Sequence, residues 1–232
     1  MKITYLGHSC IHLDTGKHQL IIDPFLTGNP TAAVAESEIR ADYILLTHGH
    51  SDHIGDAETI ARRTGAPIIA IVELASYFAN AGLQTVGMNL GGSLSLPFGS
   101  LKWVPALHSS SLHQNGINLY LGVSAGIVLD IEGLRIYHAG DTALFSDMKL
   151  IGAQRPIDLA FIPIGDHFTM GPEDALVAAE WVNAKHVVPI HYDTFDLIRQ
   201  DGERYAADLL KKGIQGYALK PGNTLDTATL SL

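Results

Sequence analysis

The stretch "ILLTHGHSDH", residues 44–53, runs from an apolar segment into three histidines and one aspartate. The polar side chains are His48, His50, Asp52 and His53. On a helix, residues two positions apart point in nearly opposite directions, so a helical segment would spread these side chains apart. A loop at the end of a strand can turn them inward, and such loops commonly carry chemistry. The stretch is therefore either a histidine-rich loop or half of a metal site.

Three more apolar runs end on a residue that can bind a metal ion. "LKWVPALH" ends at His108, "LRIYHAGD" ends at Asp141, and "HVVPIH" ends at His191. One histidine after a strand is usually structural, but four such strand ends in one chain indicate a shared rim. We therefore expect these residues and the opening stretch to lie together.

The order of apolar runs and breakers predicts two similar halves, each with strands followed by strand and helix units. Strands are predicted at 2–6, 18–23, 42–47, 66–72, 156–165 and 185–192, with antiparallel strands in 91–108 and a hairpin that turns at Glu132 and Gly133. Helices are predicted at 54–65, 73–82, 171–184 and 201–213. No linker or low-complexity tract divides the chain, so we expect one domain over residues 1–232 with two packed sheets and helices outside.

Four motifs, "THGHSDH", "ALHSS", "HAGDT" and "PIHYD", occur in that order and resemble those of the metallo-β-lactamase-fold metal-dependent hydrolases. "ITYLGHSC" and "FTMGPEDA" are similar to an uncharacterised bacterial hydrolase family akin to the ascorbate-6-phosphate lactonase group. The resemblance covers nearly the whole chain. It implies an α/β (α+β) fold, a four-layer αββα sandwich with the metal ions at one edge of the two sheets.

The resemblance also implies a full set of metal ligands. Relatives that reduce oxygen or nitric oxide with two irons carry glutamate at the position of His50, so the histidine here favours hydrolysis over redox chemistry. By this resemblance the first metal would be bound by His48, His50 and His108. The second would be bound by Asp52, His53 and His191, and Asp141 would bridge the two.

Imidazole and carboxylate ligands suit zinc first, and tolerate manganese, iron or nickel. Two such ions roughly 3.5–4 Å apart can share a bridging water whose pKa falls to about 7. The resulting hydroxide would attack an ester, lactone, amide or phosphoester. Asp52 is the catalytic candidate, because a carboxylate can both bind a metal and orient the nucleophile or take its proton.

Several other residues are candidates for supporting roles. Asp23, in "LIIDPF", either fixes the orientation of an imidazole or forms an Asp-Pro turn. His8 is a candidate substrate donor or proton shuttle, and His167 is a weaker candidate of the same kind. His138 either faces the site or is a buried structural residue. The serines at 109–111 either contact an anionic substrate group or belong to a plain loop.

Composition limits the partners. The net charge is −9 and no run of lysine and arginine interrupts it, which argues against long nucleic acids. The single cysteine, Cys10, excludes an internal disulfide, and the N-terminus does not resemble a secretory signal. No apolar stretch approaches the roughly 20 residues of a membrane span, so we expect a cytoplasmic protein without a membrane partner. Charged residues make up only 17%, which favours a homo-oligomer.

The leading interpretation is a binuclear metal-dependent hydrolase of a small molecule. An anionic substrate fits, because a bound metal can reverse the local field. One alternative is a phosphodiesterase or nuclease of the same superfamily. Another is a metal-dependent binding protein that holds its ligand without turnover. The chain has no G-x-S-x-G elbow and no phosphate-binding G-x-x-x-x-G-K-[ST] loop, which argues against a serine hydrolase and an NTPase.

Overall fold

The computed structural model describes residues 1–230. The strands, in chain order, are β1 (Lys2–Gly7), β2 (Cys10–Asp14), β3 (Gln19–Ile22), β4 (Tyr43–Leu45), β5 (Ile68–Ile71), β6 (Thr85–Met88), β7 (Ser93–Leu96), β8 (Gly99–Pro105), β9 (Ser111–Gln114), β10 (Ile117–Tyr120), β11 (Ala125–Ile131), β12 (Leu134–His138), β13 (Ile157–Pro163), β14 (Ala184–Ile190), β15 (Gln215–Gly216) and β16 (Thr224–Asp226). The α-helices are α1 (Ser51–Ile54), α2 (Ala57–Thr64), α3 (Val72–Asn80), α4 (Pro172–Trp181) and α5 (Gly202–Lys211). Short 3-10 turns lie at Glu36–Glu38, Ser146–Leu150, Asp196–Ile198 and Thr227–Thr229.

Two seven-stranded sheets form the centre of the molecule. The first has the order β16-β1-β2-β3-β4-β5-β6, and the second has the order β15-β14-β13-β12-β11-β8-β7. Neighbours are parallel from β3 to β6 in the first sheet and from β12 to β15 in the second, and antiparallel elsewhere. Since parallel strands end at the same edge of a sheet, each sheet brings several carboxyl ends together.

Three hydrophobic clusters separate the layers. Alternate residues of a strand point to opposite faces, so each sheet can fill two cores. The cluster between the sheets draws on both of them, with Ile3, Leu20, Trp103, Ile127 and Phe161 among its members. The second packs α2 and α3 on the first sheet, and the third packs α4 and α5 on the second sheet. The predicted order of helix, sheet, sheet and helix is confirmed.

The hairpin between β11 and β12 turns where the sequence predicts it. Glu132 and Gly133 have φ values of +49° and +82°, the left-handed conformation that a two-residue hairpin turn requires. The helix predicted over 54–65 begins later, at Ala57, because Gly55, with φ +42°, interrupts the chain after the short α1. Among residues 1–230, no helix has the length and apolar character needed to cross a bilayer.

Candidate metal centre

The strand ends singled out by the sequence meet at one edge of the two sheets. His48 lies beyond β4 of the first sheet. In the second sheet, His108 lies beyond β8, Asp141 beyond β12 and His191 beyond β14. The Nε2 atoms of His48, His108 and His191 lie 3.9, 3.5 and 3.0 Å from Oδ2 of Asp141. The fold therefore brings four remote parts of the chain into one cluster.

Asp52 and His53 lie on the helical turn α1, so the prediction that the whole opening stretch is a loop is wrong at its end. The backbone N–H groups of His53 and Ile54 donate to the carbonyl oxygen of His50, at 3.1 and 2.9 Å. Adjacent residues on a helix point about 100° apart, so Asp52 and His53 approach the cluster from different sides. The side chains of the stretch still approach one cluster, because His48 and His50 precede the helical turn and remain in the loop.

The loop that carries His48 and His50 is braced at Gly49. The N–H of Gly49 donates to Oγ of Ser110 at 3.0 Å. A Cβ at Gly49 would lie 2.8 Å from Cβ of Leu121, so this position has no room for a side chain. The two residues that flank the hairpin β9–β10, Ser110 and Leu121, thus pack directly on the loop that carries His48 and His50.

The potential ligand atoms form two groups of four, and within each group they lie within 4.8 Å of one another. In the first group, Nε2 of His48 and Nε2 of His108 lie 2.9 and 3.3 Å from Nδ1 of His50. Their partner in this group is Asp141. The second group contains one carboxylate and three imidazoles, from Asp52, His8, His53 and His191.

Oδ2 of Asp141 also reaches the second group. It lies 3.2 Å from Nε2 of His53 and 3.0 Å from Nε2 of His191. One buried carboxylate oxygen is therefore within 4 Å of imidazoles from both groups. This placement is what a bridge between two adjacent cations requires.

Several of these polar atoms have no hydrogen-bond partner although they are buried. They are Nε2 of His53, both ring nitrogens of His191 and Oδ1 of Asp141. A buried polar atom without a partner costs free energy, and a cation that accepts its lone pair removes that cost. Imidazole and carboxylate donors in groups of four fit a divalent ion such as zinc. The residues present therefore fit two metal ions.

Electrostatics favour the metal-binding forms of the first group. Burial lowers the pKa of His48, His50 and His108, and the neighbouring His53 lowers the first two further. Neutral imidazole is the form that binds a metal. Burial by itself would raise the pKa of Asp141, but His191 and His53 outweigh it and hold this pKa well below its usual range. Asp141 is thus ionised at neutral pH.

Asp23 lies just beyond β3 and is fully buried beside His53. Its carboxylate accepts the N–H of Thr47 at 2.9 Å and the hydroxyl of Thr47 at 2.6 Å. It also lies 2.8 Å from Nδ1 of His53. An acceptor at Nδ1 places the proton there and leaves Nε2 of His53 free to bind a metal.

His8 lies in the turn between β1 and β2 and is fully buried. Its Nε2 lies 3.2 Å from Oδ2 of Asp52, and its Nδ1 lies 2.9 Å from the hydroxyl of Thr194. Burial and the neighbouring His191 lower the pKa of His8 to about 4, so the ring is neutral at pH 7. Sequence reasoning missed Thr194, because a threonine three residues after a histidine gives no signal of its own.

The remaining candidates lie elsewhere or have structural contacts. His138 is buried, with Nε2 3.0 Å from the carbonyl oxygen of Ser9 and Nδ1 accepting the N–H of Gly140, which fits the structural interpretation. Oγ of Ser109 lies 3.3 Å from Nε2 of His50, whereas Ser110 braces Gly49 as described above. His167 is exposed and its ring contacts Phe168, so the structure does not bring it to the two groups.

Comparison with known proteins gives a consistent result. The beta-lactamase superfamily domain matches residues 11–192. A UPF0173 metal-dependent hydrolase of Thermus thermophilus is 53% identical over 225 residues, covering 97% of this chain and 98% of the relative. The UPF0173 metal-dependent hydrolase YtkL of Bacillus subtilis is 52% identical over 228 residues, covering 97% and 100%.

A solved structure has the same fold over nearly the whole chain. Igni18, described as a metallo hydrolase from the hyperthermophilic archaeon Ignicoccus hospitalis, superposes with a TM-score of 0.88 at 36% identity. The match covers 97% of this chain and 97% of that one.

Proposed function

The chain belongs to the beta-lactamase superfamily and is a metal-dependent hydrolase, and on that premise we propose that it uses two divalent metal ions to hydrolyse a small-molecule ester, lactone or phosphoester. One observation carries the proposal, the position of Oδ2 of Asp141 within 4 Å of imidazoles from both groups of potential ligands. In this assignment Asp141 is the shared ligand. The first metal is held by His48, His50 and His108, and the second by Asp52, His53 and His191.

When bound, such ions make hydroxide available near neutral pH and stabilise negative charge on the oxygen of the scissile group. We propose zinc, because imidazole predominates among the donors. The protein's own contribution is to hold the ligands in fixed orientation. Asp23 performs this task for His53 through its contact at Nδ1.

Asp52 is the carboxylate that can act on substrate. Its side chain is 28% exposed, whereas that of Asp141 is 2% exposed. Burial by itself would raise the pKa of Asp52, but the hydrogen bond from His8 and the neighbouring His53 outweigh it and hold the pKa well below its usual range. Asp52 is therefore an ionised acceptor that can orient a nucleophilic water.

Exposed apolar side chains next to the site support a small substrate with some apolar surface. Leu107 precedes His108 and is 54% exposed, and Phe195 is 38% exposed with its ring 5.6 Å from that of His8. The net charge of −9 argues against the nuclease alternative. An anionic group on a small substrate would be attracted by the two cations themselves.

Metal content and turnover test the proposal together. Zinc-loaded wild type should contain two equivalents per chain and hydrolyse members of a chromogenic ester, lactone and phosphodiester panel. Asp52→Ala should hold about one equivalent, and Asp141→Ala should lose turnover. Asp147→Ala, at an exposed carboxylate in a 3-10 turn, is the matched control and should behave like wild type.

Two results would overturn the proposal. A wild type that never exceeds one equivalent at saturating zinc would contradict the two-metal centre. Equal turnover by wild type and Asp141→Ala on every substrate would contradict hydrolysis at this centre.

We also propose a homo-oligomer in the cytoplasm. The single cysteine, Cys10, is free and buried, which suits a reducing compartment. The hairpin β9–β10 exposes Ile117 and Tyr120, at 66% and 65%, and carries no lysine, arginine or acid. A hairpin without lysine, arginine or acid that exposes large apolar side chains suits burial against another chain. Light scattering should give a mass above 24.9 kDa that falls towards it in Ile117→Ser/Tyr120→Ser.

A further inference from the structure

His8 occupies a strained position between the second group of ligands and Thr194. Its backbone has φ +56°, a conformation that residues other than glycine rarely adopt. Its side chain is fully buried, with Thr194 on one ring nitrogen and Asp52 on the other. Strain of this kind persists where surrounding contacts fix it, and it concentrates at functional sites.

The two hydrogen bonds of the ring fit one neutral tautomer. Asp52 is a carboxylate and can only accept, so Nε2 of His8 must carry the proton and donate. Nδ1 is then an acceptor and requires a donor, which the hydroxyl of Thr194 supplies at 2.9 Å. The competing acceptor for this hydroxyl, the carbonyl oxygen of Tyr192, is farther away at 3.4 Å. Asp52 therefore sets the tautomer of His8, and the Thr194 hydroxyl completes it by donating to the other ring nitrogen.

The backbone of His8 holds a second residue of the same group. Its carbonyl oxygen accepts the N–H of His191 at 2.7 Å and the hydroxyl of Tyr5 at 3.2 Å. The rings of His8 and His191 lie 4.1 Å apart. One residue near the N-terminus thus bonds to two residues of the second group, the side chain of Asp52 and the backbone of His191.

We propose that Thr194 and His8 form a positioning relay, in which the Thr194 hydroxyl donates to His8 and His8 donates to Oδ2 of Asp52, so that this carboxylate is held beside His191 in the second group. The inference rests on the proposed two-metal function and adds a role to it. His8 is a positioning residue here, neither a metal ligand nor a group that touches substrate. The same ring nitrogen cannot donate to Asp52 and bind a metal at once.

Two matched pairs of variants test the relay. His8→Gln keeps an N–H donor where Nε2 stands but cannot reproduce the contact at Nδ1, whereas His8→Asn reverses this. Thr194→Val removes the hydroxyl at nearly constant volume, and Thr194→Ser retains it. Each full-length protein, stripped with a chelator, is titrated with Co²⁺ while heat and the visible absorption of the bound ion are recorded.

We expect two binding steps in wild type. His8→Asn and Thr194→Val should weaken the second step about 10–100-fold, the range for loss of a group that orients a ligand, and change its Co²⁺ spectrum. His8→Gln and Thr194→Ser should stay within about threefold of wild type. The first step, at His48, His50 and His108, should not change in any variant and reports on folding.

Some outcomes would refute the relay and leave the two-metal proposal intact. An unchanged second step in both His8→Asn and Thr194→Val would refute it. So would equal weakening in His8→Gln and His8→Asn, because glutamine retains the donor but is a poor replacement for a metal-binding histidine. Should His8→Asn fail to fold, the Thr194 pair decides alone. A wild type with a single binding step would instead refute the two-metal proposal.

Discussion

Asp23 and His8 each contact a proposed metal ligand, with the roles of carboxylate and imidazole exchanged. At His53 a buried carboxylate orients an imidazole, and at Asp52 a buried imidazole faces a carboxylate. Both residues lie just beyond strands of the first sheet and both have positive φ, +47° for Asp23 and +56° for His8. Each also contacts the hydroxyl of a threonine, that of Thr47 at Oδ2 of Asp23 and that of Thr194 at Nδ1 of His8.

Asp23→Asn should weaken the second metal by about 10–100-fold. An asparagine can still accept from the N–H of Thr47, but its amide nitrogen cannot accept from Nδ1 of His53. The imidazole then loses the contact that fixes its proton and its orientation. Isothermal titration with zinc measures the effect.

Asp14→Asn provides the control for this change, since its carboxylate caps a turn by accepting the N–H of Gly16. It should bind zinc as wild type does. A second step of equal affinity in Asp23→Asn and Asp14→Asn would show that Asp23 forms only an Asp-Pro turn.

At the residue scale, the sequence predicted the polar residues that follow strands and missed those whose role depends on a partner remote in sequence. His108, Asp141 and His191 could be found because each terminates an apolar run, and parallel strands bring such ends to one edge. Thr194 could not, because its role depends on the ring of a histidine 186 residues away. The exposed His167 follows a strand as the proposed ligands do, yet lies outside the two groups.

The loop between β4 and α1 depends on its packing against the connection that follows β10. Gly49→Ala would place a methyl group 2.8 Å from Cβ of Leu121 and 3.0 Å from Cδ1, so the loop must move. Because His48 and His50 flank this position, we expect the first metal to bind at least 10-fold more weakly. Zinc titration of the stripped protein measures that step.

Gly87→Ala is the matched substitution in a strand, where the nearest atom to the new methyl group lies at an ordinary 3.4 Å. It should leave zinc affinity unchanged. If Gly49→Ala also binds the first zinc normally, the loop adapts and the brace does not set ligand geometry.

Asp158 ties three strands of the second sheet together. Its Oδ2 accepts the N–H of Arg135 in β12 at 2.8 Å, and its Oδ1 accepts Nζ of Lys185 in β14 at 2.9 Å. Burial by itself would raise the pKa of Asp158, but the Arg135 hydrogen bond and Lys185 outweigh it and lower the pKa. A carboxyl whose pKa is lower in the folded state stabilises the fold at neutral pH.

Asp158→Asn should therefore cost about 1.5–3 kcal/mol of unfolding free energy at pH 7. The difference from wild type should stay constant down to about pH 5 and shrink as the pH falls below the unfolded pKa of about 3.9. Urea unfolding at a series of pH values measures it. Asp196→Asn breaks an exposed pair with Arg199 and should cost under about 1 kcal/mol at any pH. A cost for Asp158→Asn that grows on acidification would contradict the assignment.

At the element scale, local signals predicted the strands and helices with strong apolar patterns and turn residues. They missed β2, β6 and the hairpin β9–β10, which are four or five residues long and only partly apolar. They also missed β16, which pairs with β1 across more than 200 residues, so no local pattern marks it. Short strands of this kind are set by the partner strand, which a sequence window does not contain.

The two sheets contact each other through the hydrophobic cluster between them and again at the edge that carries the two groups of potential metal ligands. The cluster draws on β1 to β6 and β16 from the first sheet and on β8 and β11 to β14 from the second. Because both sheets share this core, separating them would expose its apolar side chains to water at a large cost in free energy. We therefore propose that residues 1–232 form one domain and unfold in a single cooperative transition. Two resolved calorimetric transitions would contradict this.

Metal binding should stabilise the whole molecule, because the proposed ligands come from both sheets. A ligand that binds only the folded state at 100 times its Kd adds about 2.7 kcal/mol. For a chain of this size that corresponds to a Tm increase of roughly 5–10 °C per site. Differential scanning calorimetry should show a lower Tm after chelation and recovery with zinc. Asp52→Ala should recover only part of the shift, since it retains the first site. An identical Tm with and without stoichiometric zinc would mean that the metals do not join the two sheets.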